Sequence, residues 1–301
     1  MDLNLEIVTD ISKRLGEYDT TRPRMDELKF IQKIMDDYHL SRKEAVKLIQ
    51  SVRRHNKIKG DNMTSFWLHI FAMVCMLLDH MWGLSIVQND IFTCIGRIAF
   101  PIFAFMIVEG YFKTSNLKKY VLRLFIFALL SEIPFNLMVG GRVFYPVAQN
   151  VLWTFLISIG LIWLMEKVKD KNIFFRALML IVVIFLGFIL GLATFCDYHH
   201  AGIFMVLVFY FFHNKKWYNL ILQIICLWYI NAEILGGFEY VLTLFGQEVH
   251  ILRQSIAMLS LIPIWLYNGK QGYYNRYIKY LYYSFYPCHI LLLWVIAQFV
   301  K

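Results

Sequence analysis

From Thr64 onward, apolar segments alternate with short polar breaks all the way along the chain. The segments fall at 66–86, 91–112, 119–138, 150–166, 175–195, 201–213, 217–235, 253–268 and 280–300. A bilayer core takes about 20 apolar helical residues to cross, fewer where a helix is kinked or partly inserted. This rhythm admits few folds. Hydrocarbon offers no water to backbone N–H and C=O groups, so a segment must pair its own, which a helix does. The expected architecture is all-α: a polytopic transmembrane helical bundle over 64–301, of about nine spans. The short 201–213 segment reads as a partial span.

Composition agrees. The chain is 59% hydrophobic and 17% charged, against about 45–50% and about 25% in soluble domains. The net charge of +9 would point to nucleic acid in a soluble protein, but here the excess sits in short breaks. Alternate breaks carry Lys113, Lys118, Lys119 and Arg123; Lys167, Lys169, Lys171 and Arg176; Lys215 and Lys216; and Lys270, Arg276 and Lys279. The other breaks hold Arg142, Arg253 and the terminal Lys301. Thirteen against three, with no break out of phase, predicts a cytoplasmic N-terminus and an external C-terminus. No nucleic-acid partner is expected. The early residues lack the short apolar core of a signal peptide.

Residues 1–63 differ, with 13 Lys/Arg and 11 Asp/Glu. The stretch from Thr21 to Leu40 reads as a helix with Pro23 in its first turn and Leu28, Ile31, Ile34 and Met35 on one face. A second helix follows, with Ser41 and Glu44 spaced as a capping box and Ala45, Leu48, Ile49 and Val52 as its apolar stripe. The expectation is a small cytoplasmic helical hairpin. The five cysteines show no CxxC spacing, so neither a disulfide framework nor a metal is expected.

Ionisable side chains inside membrane helices are costly and mark functional sites by default. Asp79 and His80 close the first segment, in "CMLLDHMWG". Arg97 and Glu109 lie in the second, Arg123 and Glu132 in the third, and Asn150 opens the fourth. Asp197, in "CDYHH", closes the fifth, and His289 lies in the last, beyond Pro287. Given the topology, Asp79, His80, Arg97, Glu132, Asn150, Asp197 and His289 share an outer layer. Glu109 and Arg123 lie at the cytoplasmic end. Bland readings stand beside these: Arg97 with Asp79 or Glu132 as a structural ion pair, and Glu109 and Arg123 as snorkelling end residues. His80 is the foremost catalytic candidate, because histidine takes and gives protons near neutrality. Asp79 is one residue on, about 100° around a 3.6-residue turn, so it either serves Arg97 or reaches another helix. No GxSxG, HExxH, P-loop or dinucleotide motif accompanies them.

Seven blocks in order carry a resemblance: "MLLDHMWG", "IGRIAFPIFAFMIVEGYFKT", "KKYVLRLFIFALLSEIPFN", "NVLWTFLISIG", "CDYHHAGIFMVL", "RQSIAMLSLIPIWLYNGKQG" and "YYSFYPCHILLLW". Over most of 66–300 the chain resembles the TraX family of polytopic bacterial membrane proteins, and more loosely the membrane acyltransferases. Cys288 and His199–His200 depart from the pattern. The family's namesake is linked to N-terminal acetylation of conjugative pilin. The resemblance implies a multi-pass protein of the bacterial plasma (inner) membrane that draws acetyl-CoA from the cytoplasm. The acceptor would be an amine or hydroxyl outside: a pilin or peptide N-terminus, a glycan or a lipid head group. On that reading His80, Asp79, Arg97, Glu132 and His289 are expected at the catalytic centre. Glu109, Arg123, Lys118, Lys119, Asn150 and Asp197 are expected to hold acyl donor or substrate. Besides acetyl-CoA the expected partner is membrane lipid. The alternative is a non-enzymatic membrane scaffold or a transporter.

Overall fold

The computed structural model describes residues 10–11, 13–14, 27–41, 43–49, 52, 63–244 and 247–300. The chain divides into two compact units, 1–67 with 266–273, and 68–265 with 274–301.

In the first unit α1 (Glu27–Tyr38) and a helical stretch α2 (43–49) form the expected hairpin. Ser41 caps α2: its backbone N–H and hydroxyl donate to Glu44 at 3.0 and 2.6 Å, and the Glu44 N–H returns a bond to Ser41 Oγ. The Ser41 hydroxyl and N–H hold the Glu44 carboxyl below its ordinary value. Ile34, Ala45, Ile49 and Val52 are buried together, with Ile31, Met35, Leu40 and Leu48 around them. Pro23 and the side chain of Leu28 lie outside the described residues. The two-helix expectation is incomplete, because Ile11, on a helical segment before α1, fills the same core. Flanking it, Asp10 accepts from Tyr38 and Arg14 pairs with Asp37. In the same unit the 266–273 segment lies along the chain at Met63–Phe66, through Asn268 N–H to Met63 C=O, Ser65 N–H to Lys270 C=O and Phe66 N–H to Gln271 C=O.

The membrane helices follow in chain order: α3 (Ser65–Gly83), α4 (Asp90–Gly96), α5 (Ala99–Lys113), α6 (Leu117–Gly140), α7 (Val151–Lys167), α8 (Ile173–Ala193), α9 (His199–Phe211), α10 (Trp217–Tyr229), α11 (Leu261–Leu266) and α12 (Arg276–Val300). Six stretches among the described residues are long and apolar enough to cross a bilayer: α3, α4 with α5, α6, α8, α10 with the π-turn Ile230–Leu235, and α12. The chain is thus a multi-pass membrane protein. Three of the nine expected segments fall below that length. The 150–166 segment is the 17-residue α7, the 201–213 segment is the 13-residue α9, and the 253–268 segment is a 3-10 stretch (Arg253–Ser260) followed by the six-residue α11.

Burial sorts the helices. In α5 and α9 most residues are buried, including Ile102, Ala104, Phe105 and Val108 against Ile203, Met205, Val206 and Phe209. A helix surrounded by protein needs no bilayer-length face, so α9 is short. By contrast α8 is the most apolar span (mean hydropathy 2.9) and the least buried. A helix apolar all round and not covered by protein faces lipid. It docks on α9 through Gly191. A Cβ there would strike the backbone of His199 and His200, 2.8 Å from the His199 carbonyl carbon.

One element departs from the all-α expectation. Glu239–Leu244 (β1) and Gln247–Leu252 (β2) form an antiparallel hairpin, with Tyr240 opposite Ile251. β-branched residues alternate at Val241, Thr243, Val249 and Ile251, a pattern of period two that suits a strand. The Tyr240 hydroxyl donates to Asp90 at 3.0 Å, and Trp82 Nε1 donates to the same carboxylate at 3.0 Å. Arg253 lies over the Trp82 and Phe238 rings.

Gly191→Ala is expected to force α8 off α9 and cost about 1–3 kcal/mol by overpacking. Gly160→Ala, where an added Cβ meets nothing within 4 Å, is the control. Thermal unfolding in detergent should show a clear drop for the first and none for the second.

Candidate active site

The first cluster joins α3 to the α4–α5 junction. Arg97 follows α4 and donates from Nη2 to Asp79 Oδ1 at 2.5 Å and to Thr93 Oγ1 at 3.0 Å. Its Nε donates to the Thr93 carbonyl at 3.3 Å, and the Thr93 hydroxyl donates to Asp79 Oδ1 at 2.7 Å. The three side chains close a ring. Gly96 makes the approach possible: a Cβ there would lie 2.6 Å from Asp79 Cγ. Of the two structural partners open to Arg97 on sequence grounds, the fold pairs it with Asp79. Asp79 therefore does not orient its neighbour His80.

His80 is oriented by His289 instead. His80 Nδ1 lies 2.7 Å from His289 Nε2, and His289 Nδ1 lies 2.6 Å from the carbonyl of Phe285. The two imidazoles are parallel within 2°, yet their centroids are 4.9 Å apart while their nitrogens nearly touch. That combination is edge-to-edge and in plane, the geometry of an N–H···N bond and not of face stacking. The protons follow from the acceptor at the end of the chain. A carbonyl only accepts, so His289 Nδ1 carries a hydrogen. In a neutral ring its Nε2 then accepts, so His80 Nδ1 donates. The lone pair of His80 is left on Nε2. Phe285 stacks on His289 (4.4 Å, 11°) and holds the ring.

Glu132 and Asn150 form a second cluster, at the start of α7. Glu132 Oε1 accepts from the Asn150 backbone N–H (3.2 Å), the Asn150 side-chain amide and Trp153 Nε1 (2.7 Å). Asn150 caps α7 by accepting from Leu152 N–H, and it donates to the Ala128 carbonyl. Its side chain is fully engaged in joining α6 to α7, so the structure gives it an architectural task. Tyr286 links this cluster to the histidines. It is buried, and its ring centroid lies 6.4 Å from that of His80 and 5.9 Å from that of His289.

Asp197 sits in a turn with strained backbone, where Phe195, Tyr198 and His199 all adopt positive φ. Such conformations cost roughly 1–3 kcal/mol each and need surrounding structure to hold them. Here Gln149 bridges to the turn by two backbone bonds of 2.9 Å, and Thr154 Oγ1 donates to the Asp197 carbonyl at 2.6 Å. Asp197 and Tyr198 both lie in the field of Arg97, and Tyr198 stacks on Phe100 at 4.0 Å. The turn thus delivers a carboxylate and a phenol beside the first cluster.

The remaining candidates lie elsewhere. Glu109, near the far end of α5, accepts from Lys113 and pairs with His213, both at 2.6 Å. Arg123 lies on α6 with its guanidinium over the Tyr283 ring (5.8 Å), and its Nε is buried without a hydrogen-bond partner. Lys118 and Lys119 open the same helix. No group of three or more metal-ligating side chains occurs among the described residues. Sequence reasoning missed Thr93, Tyr198 and Tyr286. Thr93 stands four residues before Arg97 and Tyr286 three before His289, the spacings that share a helix face, so both had a signal. Tyr198 had none, because a turn has no periodicity.

Asp79→Ala leaves the Arg97 guanidinium without its carboxylate in a low-dielectric site, a loss of about 3–5 kcal/mol. Asp79→Leu combined with Arg97→Met removes both charges and is expected to recover most of that loss. Thermal unfolding of the two proteins in detergent checks the difference.

A family model described as "TraX protein" matches residues 66–297. The "Probable fimbrial assembly protein FimC, serogroup H1" of Dichelobacter nodosus is 24% identical to this chain over 254 residues, 80% of this chain and 98% of that protein. No solved structure matches.

Proposed function

We propose, for a chain that belongs to the TraX family, that it is an acetyltransferase of the bacterial plasma membrane acting on an acceptor at the outer face. The relative carries the name of a fimbrial assembly protein, which points to a pilin or another exported peptide with a free N-terminus. The observation that carries the enzymatic reading is the proton arrangement of His80. A side chain whose Nδ1 is committed to His289, and through it to the Phe285 carbonyl, presents Nε2 as a base.

The topology proposed is N-terminus cytoplasmic, from the Lys/Arg bias of alternate breaks. In support, the ends of α5, α7 and α9 gather together, through Glu109 with His213 and Glu166 with Tyr210. The start of α7 meets the end of α8 through Gln149 and Phe195. That is how helices that cross in alternation meet. Acetyl-CoA would enter from the cytoplasm. Arg123, with its buried unpartnered Nε, and Lys118 and Lys119 would hold its phosphates. His80 Nε2 takes the proton from the acceptor amine as nitrogen attacks the thioester carbonyl. Arg97 Nη1, on a guanidinium already fixed by Asp79 and Thr93, donates to the developing oxyanion. Collapse of the adduct forms the amide bond, breaks the C–S bond, and returns the proton from His80 to the departing thiolate.

Two measurements test this on the purified chain in proteoliposomes with acetyl-CoA and a pilin-derived peptide, read by the acetyl mass increment. His80→Ala should lower transfer by about 10²–10⁴-fold, the usual worth of a general base, while inserting and folding normally. The rate should also fall as pH falls, because the base and the amine are then both protonated and neither can act. An unchanged rate in His80→Ala sinks the mechanism. Absence of any acetyl-CoA-dependent thermal shift in the parent protein favours the scaffold or transporter instead.

A further inference from the structure

At the end of the bundle away from His80, a cavity of about 380 Å³ opens between α5, α7, α8 and α9. Its polar lining is Glu166, Lys169, Arg176, Tyr210, His213 and Asn214. The acidic groups nearby are already engaged. Glu166 accepts from Tyr210 and from Lys169, both at 2.9 Å, and Glu109 accepts from Lys113 and pairs with His213. Arg176 has no carboxylate within ion-pair distance among the described residues. The Tyr210 hydroxyl hydrogen and one Lys169 N–H are spent on Glu166, so the cavity offers an anion the Arg176 guanidinium, the remaining N–H donors of the Lys169 ammonium and the Asn214 amide.

What lies beside the cavity indicates the kind of anion. Arg176 stands in the first turn of α8, whose Ile173, Phe174, Phe175, Leu178 and Ile181 are all exposed. This is the most apolar and least buried of the six candidate spans. A ligand seated at Arg176 would have an apolar helix face running directly away from it. Phe112, stacked near Tyr210 (5.9 Å, 14°), walls the inner side. A charged head over an apolar tail matches that arrangement, and basic pockets between membrane helices bind acidic lipid head groups.

We propose that this cavity binds the phosphate ester of an anionic phospholipid, with Arg176 and Lys169 on the phosphate and the acyl chains along α8. The site is independent of acyl transfer: it shares no residue with the His80 site, and the acyl-donor cations of the proposed function lie on α6. A free phosphate ester such as coenzyme A offers the same chemistry to the same cations but has no use for the apolar face.

The test uses the purified full chain in neutral detergent, with binding read by native mass spectrometry. Phosphatidylglycerol should bind more tightly than phosphatidylcholine. Arg176→Ala should weaken the phosphatidylglycerol complex about fivefold, and adding Lys169→Ala should weaken it about as much again, at about 1 kcal/mol per basic residue. Arg176→Lys should retain most of the affinity. Both positions are exposed at the surface, so the melting temperature without added lipid should not change, and it serves as the folding control. Equal binding of the two lipids, or phosphatidylglycerol binding unaffected by both substitutions, overturns the proposal. In a second arm, coenzyme A binding that is lost in Arg176→Ala, with phosphatidylglycerol binding intact, also overturns the lipid assignment and gives the cavity to a soluble phosphate ester.

Discussion

An ionisable group carried into a membrane bundle has to find its partner on another helix, because neither water nor lipid will supply one. That constraint arranges this protein. Asp79 of α3 meets Arg97 before α5. His80 of α3 meets His289 of α12, and Glu132 of α6 meets Asn150 at the start of α7. Glu109 of α5 meets His213 beyond α9. Each pairing fixes two elements against each other at one depth, something apolar side chains in lipid do poorly, since lipid tails are as apolar as leucine. Small residues let the backbones close on these contacts, as Gly96 does under Asp79.

The same constraint sets how each group's donors and acceptors are spent. Glu132 and Asn150 spend themselves on one another, on Trp153 and on the first turn of α7. Asp79 is absorbed by Arg97 and Thr93. His80 ends a hydrogen-bond chain with its Nε2 lone pair left over, and it does so beside Tyr286 and within the field of a fixed guanidinium. A turn strained at three non-glycine residues adds Asp197 and Tyr198 to this end of the bundle. Strain concentrated in one short turn persists here because bonds from Gln149 and Thr154 tie the turn down.

Much of this was legible in the residues. The apolar rhythm located each of the six candidate spans within a few residues, because hydrophobic periodicity and length are local properties. The Ser41–Glu44 capping box and the stripe of Ile34, Ala45, Ile49 and Val52 were readable for the same reason. Where the reading fell short, the deciding interaction was distant. Ile11 fills a core made by residues more than twenty positions away. The β1–β2 hairpin lay in a stretch read only as a break between helices, although β-branched residues alternate there. Segments 150–166 and 201–213 looked like further spans, and α9 proves to be a short helix enclosed by its neighbours.

By itself, the sequence determined that this chain is a multi-pass helical membrane protein, and which ionisable residues its helices must accommodate, since both follow from side-chain chemistry counted along the chain. The tertiary structure alone decided who partners whom. Asp79 and His80 are adjacent in sequence, yet a helix turns about 100° between neighbours. One therefore looks to Arg97 and the other to His289. Which of the two keeps an open lone pair depends on a carbonyl of Phe285, more than two hundred residues from His80 in sequence and brought beside it only by the packing of α12.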